Sequence, residues 1–107
     1  MIYLASPYTH NDPTIEERRY EAIARFTVAK LTEGYCIYSP IVHCHILART
    51  YGLPAKFDFW MQYNFRMLRL AQSLWVVRLP GWDISKGVQA EIQFAQAAYI
   101  PIQYWDI

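Results

Sequence analysis

The stretch SLWVVRL at Ser73–Leu79 gives the clearest indication of the fold. Its apolar character is almost uninterrupted and it is rich in β-branched residues, which is typical of a parallel strand buried on both faces. Pro80 and Gly81 then turn the chain away. Because parallel strands need long crossover connections, the flanking sequence is expected to supply further strands separated by helices.

Strands and helices do alternate on both sides of this stretch. The patterns predict strands at 1–5, 35–39 and 100–105, and helices at 14–33, 41–51, 54–71 and 85–99. Thr14 and Glu17 match a capping box for the first helix. The alternation predicts an α/β fold, a Rossmann/flavodoxin-like three-layer sandwich with a mostly parallel sheet of four to five strands. Residues 1–107 are expected to form a single domain.

The composition favours some classes of protein and excludes others. The chain is 54% hydrophobic and 17% aromatic, which predicts a filled core and aromatic surface buried against a ligand or a second subunit in a homo-oligomer. A net charge of +1 argues against nucleic acid as a partner. The apolar runs are far shorter than the ~20 residues that a membrane span needs, and the sequence shows no signal-peptide pattern. The two cysteines are interpreted as free thiols. Together these features predict a cytoplasmic protein.

The loops at 6–13, 40–45 and 80–85 follow the carboxyl ends of the predicted strands, where ligands bind in sheets of this kind. Glu91 lies on or beside the apolar stripe of the last helix, less than two turns from the start of that helix. One interpretation is a carboxylate that reaches water at the edge of the stripe. The other is a half-buried nucleophile or base at the ligand edge of the sheet.

Other candidates each have an ordinary structural alternative. Ser85 and Gly87 open the last helix and either contact an anionic or hydroxyl group or simply cap it. Tyr3 in the first strand needs a partner for its hydroxyl. His43 is either a ligand contact or an ordinary loop histidine, and Trp60 either stacks on a base or fills the core.

Metal and cofactor chemistry is not indicated. The segment His43-Cys44-His45 lacks the spaced second pair of ligands found in zinc sites. No glycine-rich dinucleotide or P-loop motif is present. We therefore expect no metal and no cofactor. Trp82, after the turn that follows the decisive strand, is expected to be exposed and to contact a partner.

Two segments resemble a known family. IYLASPY at Ile2–Tyr8 is similar to the first strand and loop of nucleoside 2-deoxyribosyltransferases and of 2′-deoxynucleoside 5′-monophosphate N-glycosidases. SKGVQAEI at Ser85–Ile92 is similar to the S-x-G-x-x-x-E signature that opens the helix carrying the nucleophilic glutamate of that family. The resemblance covers the layout of the whole chain, and it is closest to a short branch of the superfamily.

The resemblance implies a mechanism and roles. Glu91 would attack the anomeric carbon of a nucleoside or nucleotide, the base would leave, and water or a second base would resolve the sugar ester. Tyr3 would orient Glu91, and Ser85 and Gly87 would hold the 5′ end. The remaining substrate contacts would come from Ser6, Tyr8, His43 and Trp60. The serine at position 85 favours hydrolysis of a nucleotide over base exchange.

One position departs from the family pattern. Asn64 lies where the family has an aspartate that protonates or binds the base. Asparagine can hydrogen-bond a base but cannot act as a general acid. Asp58 is about 240° around the helix and is no simple substitute. The leaving base would be protonated by water, by His43 or not at all, and a non-catalytic nucleotide-binding sensor of the same fold is the alternative function.

Overall fold

Four parallel strands form one sheet in the computed structural model, which describes residues 1–107. The strands are β1 (Ile2–Ala5), β2 (Ile37–Tyr38), β3 (Ser73–Val77) and β4 (Ile102–Trp105). Their order across the sheet is β2-β1-β3-β4, and every pairing is parallel. The decisive stretch is therefore an interior strand paired on both sides, which explains its apolar character.

Four helices cover the sheet and complete the three layers. They are α1 (Pro13–Thr32), α2 (Pro40–Arg49), α3 (Phe57–Arg69) and α4 (Lys86–Ala97), and a short 3-10 turn spans Trp82–Ile84. None of them is long and apolar enough to cross a membrane. The predicted α/β sandwich with a parallel sheet is confirmed.

Strand alternation divides the core into two clusters, one on each face of the sheet. On one face the strands contribute Tyr3, Leu74 and Val76, which pack against residues of α3 and α4 such as Leu68 and Val88. On the other face a second cluster contains Leu4, Ile23, Phe26, Ile37, Trp75, Val77 and Leu79, so α1 covers that side. The sheet is thus buried on both sides.

The start of α1 differs from the prediction. Asp12 caps the helix by accepting a hydrogen bond from the amide of Thr14 at 2.9 Å, and Pro13 occupies the first helical turn. The predicted capping box of Thr14 and Glu17 is wrong because the proline already has a helical φ and lacks an N–H, which moves the cap two residues upstream. Glu17 is left free to contact α2.

The second strand is also shorter than predicted. Only Ile37 and Tyr38 pair with β1, and α2 begins at once at Pro40, capped by the Ser39 hydroxyl at 3.1 Å from the amide of Val42. Residues 40–45, named above among the loops at the strand ends, are helical, and His43 lies on the helix predicted at 41–51. Ser39 followed by Pro40 is an ordinary helix start, and it places the first residue of that helix one position earlier than predicted.

The strand order creates the position of the site. In the sheet, β2 lies on one side of β1 and β3 lies on the other. The connection from β1 to β2 and the connection from β3 to β4 therefore run in opposite directions, and they diverge above the carboxyl ends of β1 and β3. Such a divergence leaves a crevice where open α/β sheets bind ligands. Trp82, expected to be exposed, is only partly so, because it packs against the core and contacts Tyr104 with ring centroids 5.8 Å apart.

Candidate active site

A cavity of about 410 Å³ opens at this crevice. Its walls come from the loop after β1, from the first turns of α2, α3 and α4, and from the 3-10 turn. The volume lies within the range of small-molecule sites. Seven of the residues singled out in the sequence line it: Ser6, Tyr8, Trp60, Asn64, Ser85, Gly87 and Glu91.

Glu91 is the buried acid of the cavity. Only 4% of its surface is exposed, and it faces the cavity from the second turn of α4. Its carboxylate accepts a hydrogen bond from the hydroxyl of Tyr3, which lies on β1 and is fully buried beneath the cavity. The alternative of a glutamate that reaches bulk water is wrong, because α3 packs beside α4 and encloses the side chain.

Burial makes the ionised form of this carboxylate costly. It raises the pKa of Glu91 from 4.5 to about 8, and the hydrogen bond from Tyr3 opposes that rise only in part. The pKa of the Tyr3 hydroxyl is raised well above its usual value, by burial first and then by the negative charge of Glu91. Tyr3 therefore stays a hydrogen-bond donor, and no basic side chain forms a salt bridge with Glu91.

Two buried polar atoms of the cavity wall have no partner. The hydroxyl of Ser6 and the side-chain oxygen of Asn64 are buried and accept or donate no hydrogen bond within the protein. The two residues are 5% and 7% exposed. Because a buried polar group without a partner costs about 1–3 kcal/mol, these atoms indicate a place where a polar ligand completes the hydrogen bonding.

The start of α4 has the form expected from its sequence. The Ser85 hydroxyl accepts a hydrogen bond from the amide of Val88 at 3.3 Å, so the prediction that it caps the helix is confirmed. The amides of Lys86 and Gly87 remain free for an anion. Gly87 has a packing reason as well, because a Cβ there would lie 2.9 Å from the ring of Phe57.

Arg19 is a cavity residue that the sequence did not suggest. Its guanidinium donates to the carbonyls of Thr9 at 3.1 Å and of Pro80 at 3.0 Å, joining the loops that follow β1 and β3. Gly81 has a φ of +92°, a backbone conformation that favours glycine, and a Cβ there would lie 2.6 Å from Arg19 Nη2, so the arginine side chain would also have to shift. Arg19 lies within α1, about two turns after the loop that follows β1. It reaches the cavity only through the packing of α1 against the loops, which the sequence does not show.

The neighbouring histidines have other positions than expected. His43 does not line the cavity, and its ring stacks on Tyr63 with centroids 5.5 Å apart. On α2, position 43 faces Trp60 and Tyr63 of α3 rather than the crevice, so this geometry does not support the prediction that His43 contacts substrate or protonates the base. His45 is 3% exposed and links Glu17 at 3.0 Å to the hydroxyl of Tyr8 at 2.8 Å.

The wall formed by α3 carries Trp60, Asn64 and Asp58. The indole N–H of Trp60 donates to the carbonyl of Pro54 at 2.8 Å, which fixes the ring that faces the cavity. Asp58 lies about 240° around the helix from Asn64 and nevertheless lines the cavity. Its carboxylate pairs with Lys86 at 2.8 Å. The wall is therefore aromatic and neutral in its depth and charged at its exposed rim.

Cys44 lines the cavity from α2, and burial raises the pKa of its thiol to about 11. No group of three or more histidine, cysteine, aspartate or glutamate side chains is arranged to hold a metal ion.

Comparison with known proteins identifies a family. A search of curated proteins finds no match to the chain. A family model described as "Domain of unknown function (DUF1937)" matches residues 1–107. Since the match spans the whole sequence, the chain belongs to the DUF1937 family.

Proposed function

We propose that this protein cleaves the N-glycosidic bond of a nucleotide, with Glu91 as the nucleophile. The observation that carries the proposal is a buried glutamate that faces a cavity and is hydrogen-bonded by Tyr3. A structural carboxylate would gain nothing from this position, since burial opposes its ionisation. The resemblance of Ile2–Tyr8 and Ser85–Ile92 to nucleoside 2-deoxyribosyltransferases and related N-glycosidases points to the same pair of residues.

The reaction has two steps. A carboxylate oxygen of Glu91 attacks the anomeric carbon, the bond from that carbon to the base nitrogen breaks, and its electron pair leaves with the base. The resulting ester between Glu91 and the sugar is then attacked by water at the same carbon, which restores the carboxylate. Tyr3 orients the attacking oxygen and stabilises its charge, because its hydroxyl remains protonated.

The anionic end of the nucleotide is assigned to the start of α4. The free amides of Lys86 and Gly87 and the positive end of the helix dipole favour a phosphate. Arg19, which donates to the carbonyl of Pro80 in the turn before α4, adds positive charge, and Lys86, paired with Asp58, lies at the rim. With the phosphate there and the sugar at Glu91, the base lies against Trp60 and Asn64.

The ionisation of Glu91 predicts how the rate depends on pH. The nucleophile must be a carboxylate, and its pKa of about 8 keeps it mostly protonated at neutral pH in the free protein. The profile of kcat/KM reports ionisations of the free enzyme. It is therefore expected to rise with pH and to level off above about 8.

The test is release of free base from a panel of nucleoside 5′-monophosphates, in both the ribose and deoxyribose forms. Wild type is expected to release base, and Glu91→Gln is expected to release none, since the amide cannot form the sugar ester. Glu21→Gln is the matched control, because Glu21 is an exposed residue of α1 that pairs only with Arg25. No release by wild type, or equal release by Glu91→Gln, would overturn the proposal.

A nucleotide sensor without turnover is the second candidate. Asn64 supports it, because an amide binds a base but cannot protonate it. A sensor would show nucleotide-dependent thermal stabilisation in both wild type and Glu91→Gln, with no base released by either. At 100 times the dissociation constant, such binding adds about 2.7 kcal/mol to the free energy of unfolding.

A further inference from the structure

The base end of the cavity lacks a competent proton donor. The indole N–H of Trp60 is already bound to the carbonyl of Pro54. Asn64 has an amide, which does not release protons at accessible pH. Cys44 is a weak acid, because burial raises the pKa of its thiol to about 11. A neutral base departing here would have to leave as an anion, at a cost of about 10²- to 10⁴-fold in rate relative to an acid-assisted departure.

Four ionisable side chains of the cavity lining are exposed at its rim: His10, Lys56, Asp58 and Lys86. The carboxylate of Asp58 is paired with Lys86 at 2.8 Å and lies in solvent rather than in the depth of the cavity. His10 belongs to the loop after β1, is exposed, and accepts a hydrogen bond from the amide of Asp12 through Nδ1. The hydroxyl of Tyr8 is bonded to His45 on the side of α2. None of these groups replaces a buried acid at position 64.

Three arginine or lysine residues line the cavity, Arg19, Lys56 and Lys86, but none of them forms a salt bridge with its buried acid. Glu91 is hydrogen-bonded by Tyr3 and has no salt-bridge partner, although Arg19 lines the same cavity. Arg19 is held by the carbonyls of Thr9 and Pro80. A buried carboxylate without a countercharge is costly, and a positively charged ligand would supply that charge.

The hydrogen-bonding capacity of Asn64 completes the description of the ligand. Its buried oxygen has no donor in the protein. A carboxamide on the ligand can donate to this oxygen and accept from the amide nitrogen of the same side chain, forming a reciprocal pair. The neighbouring face of Trp60 favours a cationic aromatic ring, since cations are attracted to indole.

We propose that the preferred substrate is a nucleotide whose base is an N-glycosylated pyridinium ring carrying a carboxamide. This inference rests on the proposed glycosidic cleavage and names its substrate class. A pyridinium leaves as a neutral pyridine and needs no proton. The absence of an acid, the unpaired Glu91 and the unsatisfied amide of Asn64 then have one common explanation.

The atoms and charges of the step balance. Glu91 attacks the anomeric carbon, the carbon–nitrogen bond breaks, and its electron pair neutralises the positive charge of the pyridinium nitrogen. Water then hydrolyses the sugar ester, one of its protons remains on the new sugar hydroxyl and the other enters solution. Each turnover therefore releases one neutral pyridine carboxamide, one sugar phosphate and one proton, whereas hydrolysis of a neutral nucleotide releases no net proton.

The experiment compares kcat/KM for nicotinamide mononucleotide with the values for adenosine and cytidine 5′-monophosphates, each in ribose and deoxyribose forms. Wild type is expected to favour the pyridinium by at least about 10²-fold. Asn64→Asp installs an acid at the same position, which can assist the departure of the neutral bases, and it is expected to lower that ratio at least about tenfold. Because the substrates are the same for both proteins, such a change comes from the cavity wall and not from the intrinsic reactivity of the leaving group. Proton release measured in a pH-stat is an independent check, because it should equal one proton for each pyridine released and none for each neutral base.

The outcomes distinguish this inference from the function on which it rests. A pyridinium preference that falls in Asn64→Asp supports it. Neutral bases released by wild type as fast as the pyridine, or a ratio unchanged in Asn64→Asp, would overturn the substrate class and leave glycosidic cleavage standing. No release from any member of the panel would overturn both. If Asn64→Asp does not fold, the wild-type ratio is divided by the ratio of the uncatalysed hydrolysis rates of the same substrates: a quotient of one or more supports the inference, and a quotient below one overturns it.

Discussion

Replacing Glu91 by glutamine should change how the stability of this protein depends on pH. The pKa of Glu91 is about 8 in the folded chain against an ordinary value of 4.5, so between these values the folded state holds a proton that the unfolded state has lost. The free energy of unfolding must then fall as pH rises through this window. At 1.36 kcal/mol per pKa unit the loss is roughly 5 kcal/mol, a large part of the stability of a small domain.

Glutamine has nearly the shape of the protonated acid and can accept the hydrogen bond from Tyr3, but it does not titrate. Urea denaturation at intervals from pH 4 to pH 9 should therefore show Glu91→Gln gaining on wild type as pH rises, with most of the gain between about 5 and 8. The exposed replacement Glu21→Gln corrects for the loss of a charge. Parallel curves for wild type and Glu91→Gln would refute the reasoning that burial opposes ionisation of this side chain.

Three further substitutions test parts of the site. Tyr3→Phe removes the hydrogen bond that lowers the pKa of Glu91, so the midpoint of the kcat/KM profile should move to higher pH, and a move to lower pH would contradict this. Ser6→Ala removes a buried hydroxyl without a partner, so urea denaturation should show stability unchanged or higher by up to about 1 kcal/mol while the thermal shift with nucleotide falls. Gly81→Ala meets a φ of +92° and Arg19 together, and a thermal melt should show destabilisation of about 1–3 kcal/mol; an unchanged melting temperature would show that the loop adapts.

The fold was largely predictable from local pattern. The β-branched run at Ser73–Leu79 favoured a buried parallel strand, observed at Ser73–Val77, and the alternating segments around it left few topologies. The ends of the elements were less predictable, because they depend on caps. Pro13 after Asp12 and Pro40 after Ser39 start helices earlier than the apolar periodicity indicates. β2 is reduced to Ile37 and Tyr38 because pairing with β1, rather than propensity, sets its length.

Site residues could be predicted where their position depends only on the periodicity of their own helix or on the end of their own strand. Glu91 and Asn64 each lie on a buried stripe, and Ser6 directly follows a strand, so all three could be placed at the crevice from sequence. Arg19 could not, because its position depends on how two loops pack across α1. The direction of the His43 ring could not be predicted for a related reason: the angle between α2 and α3 determines which way the ring points.

The covalent step can be tested by the stereochemistry of the product. When methanol is added to compete with water, two successive displacements at the anomeric carbon, the first by Glu91, must return it to its original configuration. We predict that the methyl glycoside recovered from a β-nucleotide is the β anomer, as read by NMR. An α product would mean that the solvent attacks the substrate directly and that Glu91 forms no bond to the sugar.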